Sequence, residues 1–158
     1  MRDKPLAFDP LSLPESDATG YPEPYRAENQ RRWNRPLGDH AGLRNFGVNI
    51  ARIAPGGQSS SRHWHSRRDE FVYVLSGEVI LETDAGEEVL RAGLCAGFPA
   101  GAYNGHRFLN RTSVDAMLLV VGDRTPANEV GYSDIDMQGR LGPDGRYVVT
   151  RKNGAPLE

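Results

Sequence analysis

The apolar residues between positions 46 and 121 arrive in short runs, 46–53, 70–75, 79–83, 87–90, 106–110 and 117–121, and that shortness constrains the fold more than any other feature. Runs of this length suit strands and are too short for the helices of a packed bundle. Turn-forming residues separate them: Pro55-Gly56-Gly57, Ser76-Gly77, Asp84-Ala85-Gly86, Ala92-Gly93 and Pro99-Ala100-Gly101. Strands joined at such short intervals predict an antiparallel sandwich or barrel. The 18 glycines and 11 prolines of the chain supply the turns. No period of about 20 to 50 residues repeats itself, which predicts one barrel and not a duplicated pair. At 158 residues the chain fits a single hydrophobic core.

The flanks read differently. Residues 1–42 contain Pro5, Pro10, Pro14, Pro22, Pro24 and Pro36, which would repeatedly interrupt a helix, so this segment is expected to be an extended arm. Its apolar residues Leu6, Phe8, Leu11 and Leu13 ask for burial on the domain or on a partner. The barrel is expected to occupy 43–122. Composition shifts again at Gly122-Asp123, opening a C-terminal extension over 123–158. There Gly142-Pro143-Asp144-Gly145 invites a reversal that would pair 137–141 with 146–152 as a hairpin.

A formal net charge of −2 gives no clustered positive field of the kind that phosphate backbones require, which argues against nucleic acid as a partner. The doublets Arg31-Arg32 and Arg67-Arg68 are read as solvated surface. No apolar run reaches membrane length and the N-terminal residues contain no uninterrupted signal-like core, so a cytoplasmic protein is expected. Cys95 is the only cysteine; it cannot form an intrachain disulfide and is expected to be a small buried hydrophobe.

Chemistry concentrates at His63, His65 and Glu70. In a strand, residues two apart share a face, so both imidazoles can enter one cavity while Trp64 points away. Glu70 can open the next strand after the polar turn 66–69. His106 is a fourth candidate, placed where Pro99 and Gly101 shape the approach to another strand. Of the four histidines only His40 lies outside this arrangement. Imidazoles with a nearby carboxylate form a ligand set for a divalent transition metal.

These residues resemble the motifs of the cupin superfamily. The first motif runs from Gly57 through His63-Trp64-His65 and Glu70 to Gly77; the second runs from Gly93 through Pro99-Ala100-Gly101 and His106 to Asn110. Four residues separate Gly101 from His106 where two are usual, and Leu94 stands where an acidic residue often follows the glycine. The stretches FVYVLSGEV and GFPAGAYNGHRFLNR are similar to a narrower group of small bacterial single-cupin proteins. The resemblance implies a double-stranded β-helix (jelly-roll) barrel, so the fold expected is all-β, one such barrel with the extended N-terminal arm and the C-terminal hairpin read above, and a homodimer is expected. The resemblance also implies one divalent metal, Zn, Fe, Mn or Ni, held by His63, His65, Glu70 and His106 inside the barrel mouth.

Alternation from Glu70 places Val72 and Val74 on the metal side and Phe71, Tyr73 and Leu75 opposite. Alternation from His106 turns Arg107 outward and Asn110 inward, the latter to bond backbone at a turn. Two functions stay open. One is a metal-dependent enzyme acting on a small polar organic substrate, as a dioxygenase or as an isomerase or lyase, with Tyr103 or a metal-bound water transferring the proton. The other is a non-catalytic binding or sensor module in which the ion anchors a sugar or organic acid.

Overall fold

The computed structural model describes residues 6–142 and 146–157. Its strands, in chain order, are β1 (Arg32–Pro36), β2 (Phe46–Ile53), β3 (His63–His65), β4 (Glu70–Ser76), β5 (Glu78–Thr83), β6 (Gly86–Arg91), β7 (Cys95–Phe98), β8 (Arg107–Leu109), β9 (Ala116–Asp123), β10 (Val130–Tyr132), β11 (Gln138–Leu141) and β12 (Tyr147–Thr150). One short helix, α1 (Leu37–Ala41), joins β1 to β2. Three antiparallel sheets result, ordered β1-β2-β9-β4-β7, β12-β11-β10-β3 and β6-β5-β8. The protein is all-β, as the short apolar runs predict. Among the described residues no helix is long and apolar enough to cross a membrane.

The core lies between the five-stranded and three-stranded sheets, where Ile53, Val72, Val74, Val79 and Leu118 lose nearly all solvent contact. Each such aliphatic side chain contributes about 1.5–3 kcal/mol by leaving water. The alternation on β4 is as expected: Val72 and Val74 are buried, while Phe71, Tyr73 and Leu75 are 43%, 37% and 41% exposed on the outer face. Gly77 makes the turn between β4 and β5 at a φ of 79°, and a Cβ there would strike the backbone of Asp115 and Ala116. Glycine is the residue that meets both demands.

Cys95 corrects the sequence reading. It pairs with Tyr73 across β4 and β7, shares that residue's outward face, and is exposed. Register, not hydrophobicity, decides its position. The N-terminal segment also departs from a featureless arm, because β1 extends the larger sheet along β2. Glu15 ties the preceding residues down by pairing with both Arg35, at 2.9 Å, and Arg52. Phe8 packs against His40, but Leu6 and Leu11 stay in solvent. At the other end β11 and β12 form the expected hairpin, from Gln138 opposite Thr150 to Leu141 opposite Tyr147. Residues 143–145 of its turn lie outside the described residues. Less foreseeable from the sequence, β10 pairs with β3 and so lies alongside the two histidines.

Candidate metal centre

Strand β3 carries His63 and His65 on one face and Trp64 on the other. The outer side of this layer is close-fitted, since a Cβ on Gly131, opposite Trp64, would overlap the indole ring. A backbone bridge fixes His63 beside His106: His63 N–H donates to His106 C=O at 3.1 Å, and His106 N–H donates to His63 C=O at 2.9 Å. Glu70 enters from the start of β4. One of its carboxylate oxygens lies 3.0 Å from His106 Nε2, 3.6 Å from His65 Nε2 and 3.8 Å from His63 Nε2. The four candidate ligand residues therefore converge on one point. The ligand atoms of His63, Glu70 and His106 all lie within 4.8 Å of one another, a group that could hold a metal ion.

Surrounding contacts orient the rings. His63 Nδ1 lies 3.1 Å from the carbonyl of Ser61 and 3.0 Å from Ser60 Oγ. A carbonyl only accepts, so Nδ1 carries the proton and the Nε2 lone pair faces the cluster. His106 is 2% exposed and stacks face to face on Phe98 with centroids 3.5 Å apart. Asn128 takes the Arg67 N–H on its amide oxygen at 3.1 Å and turns its nitrogen toward His65 Nδ1 at 3.0 Å. That contact favours a proton on His65 Nε2, aimed at Glu70, and sets His65 apart from His63.

Burial opposes the charge of Glu70, yet hydrogen bonds from His106 and His65 and the nearness of His63 outweigh it and hold the carboxyl well below the usual carboxylate range. Burial drives His63 down to about 4, against the pull of Glu70. A neutral imidazole facing an ionised carboxylate is the protonation pattern that metal coordination requires.

The cluster opens into a cavity of about 440 Å³. Val72, Leu118 and Val120 give it an apolar wall, while polar groups arrive from outside the central strands, among them Tyr21, Arg32, Arg68, Asn128, Tyr132 and Tyr147. Here the sequence reading of the arginine doublets changes. Arg31 and Arg67 are exposed, but Arg32 and Arg68 are half-buried and line the cavity. Burial pushes the phenols of Tyr21 and Tyr132 up; at Tyr132 the neighbouring phenols of Tyr21 and Tyr147 act in the same direction. Tyr132 consequently remains a hydrogen-bond donor at every physiological pH.

Tyr103 does not join the site. It is 61% exposed, has a φ of 53°, and packs edge-on against the outward-facing Trp64 with centroids 4.7 Å apart. Trp64 and the histidines flanking it lie on opposite faces of β3, so Tyr103, on the Trp64 side, is badly placed to exchange a proton with a ligand in this cavity. Asn104 accepts the Asp84 N–H and braces a turn. Arg107 pairs with Glu82 at 2.5 Å, and Asn110 donates to the carbonyls of Ile53 and Val114, the structural role expected of it.

A jelly-roll barrel with an imidazole–carboxylate cluster inside one cavity defines the class of protein. The chain belongs to the cupin superfamily: the Cupin domain family matches residues 49–122, a span that includes all four cluster residues. It is 44% identical to a sugar phosphate isomerase of the cupin superfamily from Silicibacter pomeroyi, over 96% of each chain with a TM-score of 0.91. A putative sugar phosphate isomerase from Acidithiobacillus ferrooxidans is 29% identical over 80% of each chain, with a TM-score of 0.72. Protein SchB of Streptomyces halstedii is 30% identical over 106 residues, 66% of this chain and 75% of that protein.

Proposed function

We propose that this chain is a metal-dependent isomerase of a small polyhydroxylated substrate, its ion held by His63, His65, Glu70 and His106. The observation that carries this reading is the opening of the His63, Glu70 and His106 cluster into a cavity of about 440 Å³, a volume suited to a small organic ligand. Two relatives described as sugar phosphate isomerases support the reaction class. A bound divalent ion would supply Lewis acidity toward a carbonyl or hydroxyl oxygen. The protein's own part is to orient and enclose. Ser61 and Glu70 fix the rings, the Val72, Leu118 and Val120 wall excludes water, and Tyr132 presents an O–H to a substrate oxygen.

A second reading, metal-anchored binding without turnover, draws on one observation. The phenols of Tyr21, Tyr132 and Tyr147 that face the cavity are all pushed upward, so beyond the cluster they provide donors and no base at neutral pH.

Aldose–ketose interconversion followed in D2O separates the two. Incorporation of solvent deuterium at the carbon next to the carbonyl, lost in His63→Ala together with the metal, supports the isomerase. Saturable binding of sugar phosphates with no exchange and no interconversion would sink it.

A further inference from the structure

The inward face of β1 presents an arginine to the metal cavity. Arg32 and Asn34 alternate with Trp33 and Arg35. Trp33 and Arg35 take the outer side, where Arg52 lies over the Trp33 ring at 4.1 Å and Arg35 pairs with Glu15. Arg32 and Asn34 take the inner side, opposite Ile53 and Ala51 of the core. Asn34, with its amide oxygen turned to the guanidinium, accepts from Arg32 at 2.9 and 3.3 Å. A neutral amide leaves the charge uncompensated. Neither Arg32 nor Arg68 has a carboxylate within ion-pair distance among the described residues, whereas Arg35, Arg52, Arg62 and Arg107, also partly buried, each have one.

We infer that Arg32, with Arg68 as a second cation, forms an anion subsite in the metal cavity, built for the phosphate of a small phosphorylated substrate. This rests on the metal-dependent reading of the same cavity. Of the residues lining it, only Arg32, Arg68 and Glu70 carry formal charge, so the walls are net positive before any divalent ion is added. A half-buried cation without a counter-charge is unfavourable unless an anion completes it. Burial pushes the Arg32 guanidinium below its ordinary value, in keeping with a cation drawn partly out of water. A phosphate monoester offers two charges and three acceptor oxygens to two planar guanidinium forks, whereas a carboxylate would leave one fork uncompensated. Arg68 already donates through Nε to the Thr125 carbonyl at 3.1 Å, which anchors its side chain from behind. Both arginines come from outside or between the histidine-bearing strands, so the anion subsite and the metal ligands are separately variable.

The test is calorimetric titration of the full chain with inorganic phosphate and with acetate, before and after chelator treatment. Arg32→Met is the variant, and Arg111→Ala, which removes a surface partner of Glu87, is the control. The subsite predicts that phosphate binds the chelator-treated wild type, that Arg32→Met weakens this at least about tenfold, and that Arg111→Ala does not. It also predicts that Arg32→Met, without phosphate, melts no lower than wild type, and that phosphate raises the melting temperature of wild type and of Arg111→Ala but not of Arg32→Met. If Arg32 only braced the fold, Arg32→Met would melt below wild type. Unchanged phosphate affinity in Arg32→Met, acetate binding as tight as phosphate, or no phosphate binding to the wild type would each overturn the subsite. Phosphate binding that depends on Arg32, in a protein that holds no metal as purified and takes none up when divalent ions are added, would uphold the subsite and sink the metal reading.

Discussion

His63 and His106 are held together through their own peptide groups, by reciprocal hydrogen bonds of 3.1 and 2.9 Å. Two prospective ligands far apart in sequence are thus positioned by a sheet bridge, before any ion contributes. Sites assembled by the metal itself unfold when it is removed; this one is built into the barrel. Chelator treatment is therefore expected to leave the far-ultraviolet circular dichroism unchanged and to lower the stability only by the ligand-binding contribution, about 3–4 kcal/mol at a large excess of metal over its Kd, with a matching fall in melting temperature. Loss of the β-sheet spectrum on chelation would show that the bridge does not preorganise the site.

The amide of Asn128 sets the tautomer of His65. With its oxygen occupied by the Arg67 N–H, its nitrogen faces His65 Nδ1 and favours the proton on Nε2, where an ion would need a lone pair. Asn128→Asp replaces that donor with an acceptor and should free Nε2. The variant is expected to hold metal about tenfold or more tightly in competition with a chromogenic chelator, in line with the effect of outer hydrogen bonds on metal ligands. Weaker retention would mean that Asn128 already presents its oxygen to His65 in the loaded protein.

Gly131 and Trp64 form the outer support of the histidine pair. A methyl group at position 131 meets the indole of Trp64, and displacing that ring moves the strand that carries His63 and His65. Gly131→Ala is expected to cost about 1–3 kcal/mol in chemical denaturation, the usual range for overpacking, and to reduce metal retention. A variant with unaltered stability and metal content would show that the indole swings aside freely.

These contacts mark where sequence reasoning reached and where it stopped. The period-two pattern in β4 and the His-x-His spacing in β3 are local, so the cluster residues and Val72 were legible in the chain, while Leu118 and Val120 of the apolar wall arrive through the pairing of β9 with β4. The cavity's polar side was not, because it depends on long-range pairing. Val130, Gly131 and Tyr132 reach the site by lying against β3, and no local pattern announces that. Arg32 was legible in principle, since alternation along 32–35 separates it from Trp33, but the surrounding prolines obscured the strand. Tyr103 misled through sequence proximity to His106: a left-handed backbone conformation and the Trp64 ring carry it to the other side of β3.

The pairing of Glu15 with Arg52 and Arg35 fixes the N-terminal segment to the larger sheet, and it depends on pH. The hydrogen bond from Arg52 holds the Glu15 carboxyl below its ordinary value of 4.5. A carboxyl depressed in the folded state adds stability above that ordinary value and loses it as pH falls through the folded value. Glu15→Gln should therefore destabilise the protein by about 1 kcal/mol at neutral pH, the scale of a partly exposed pair. The difference from wild type should vanish in strong acid. Thermal melts of both proteins at several pH values measure it, and a difference independent of pH would assign the loss to packing.

The outer face of β4 presents Phe71, Tyr73 and Leu75 side by side on alternate positions, each more than a third exposed, next to β9 on one side and β7 on the other. Monomers seldom leave a contiguous apolar strip of this kind in water. The expected cover is a second copy of the chain, related by a twofold axis so that the same strip meets itself. Light scattering coupled to size exclusion should give twice the chain mass for the wild type. Tyr73→Glu places a carboxylate at the centre of the strip, where two copies would bring like charges together without solvent, and should yield a monomer. Because Tyr73 points away from the barrel interior, that monomer should keep its circular dichroism spectrum and its metal, which separates loss of assembly from loss of fold. A wild type that runs as a monomer at every concentration tested would leave the strip to some other partner.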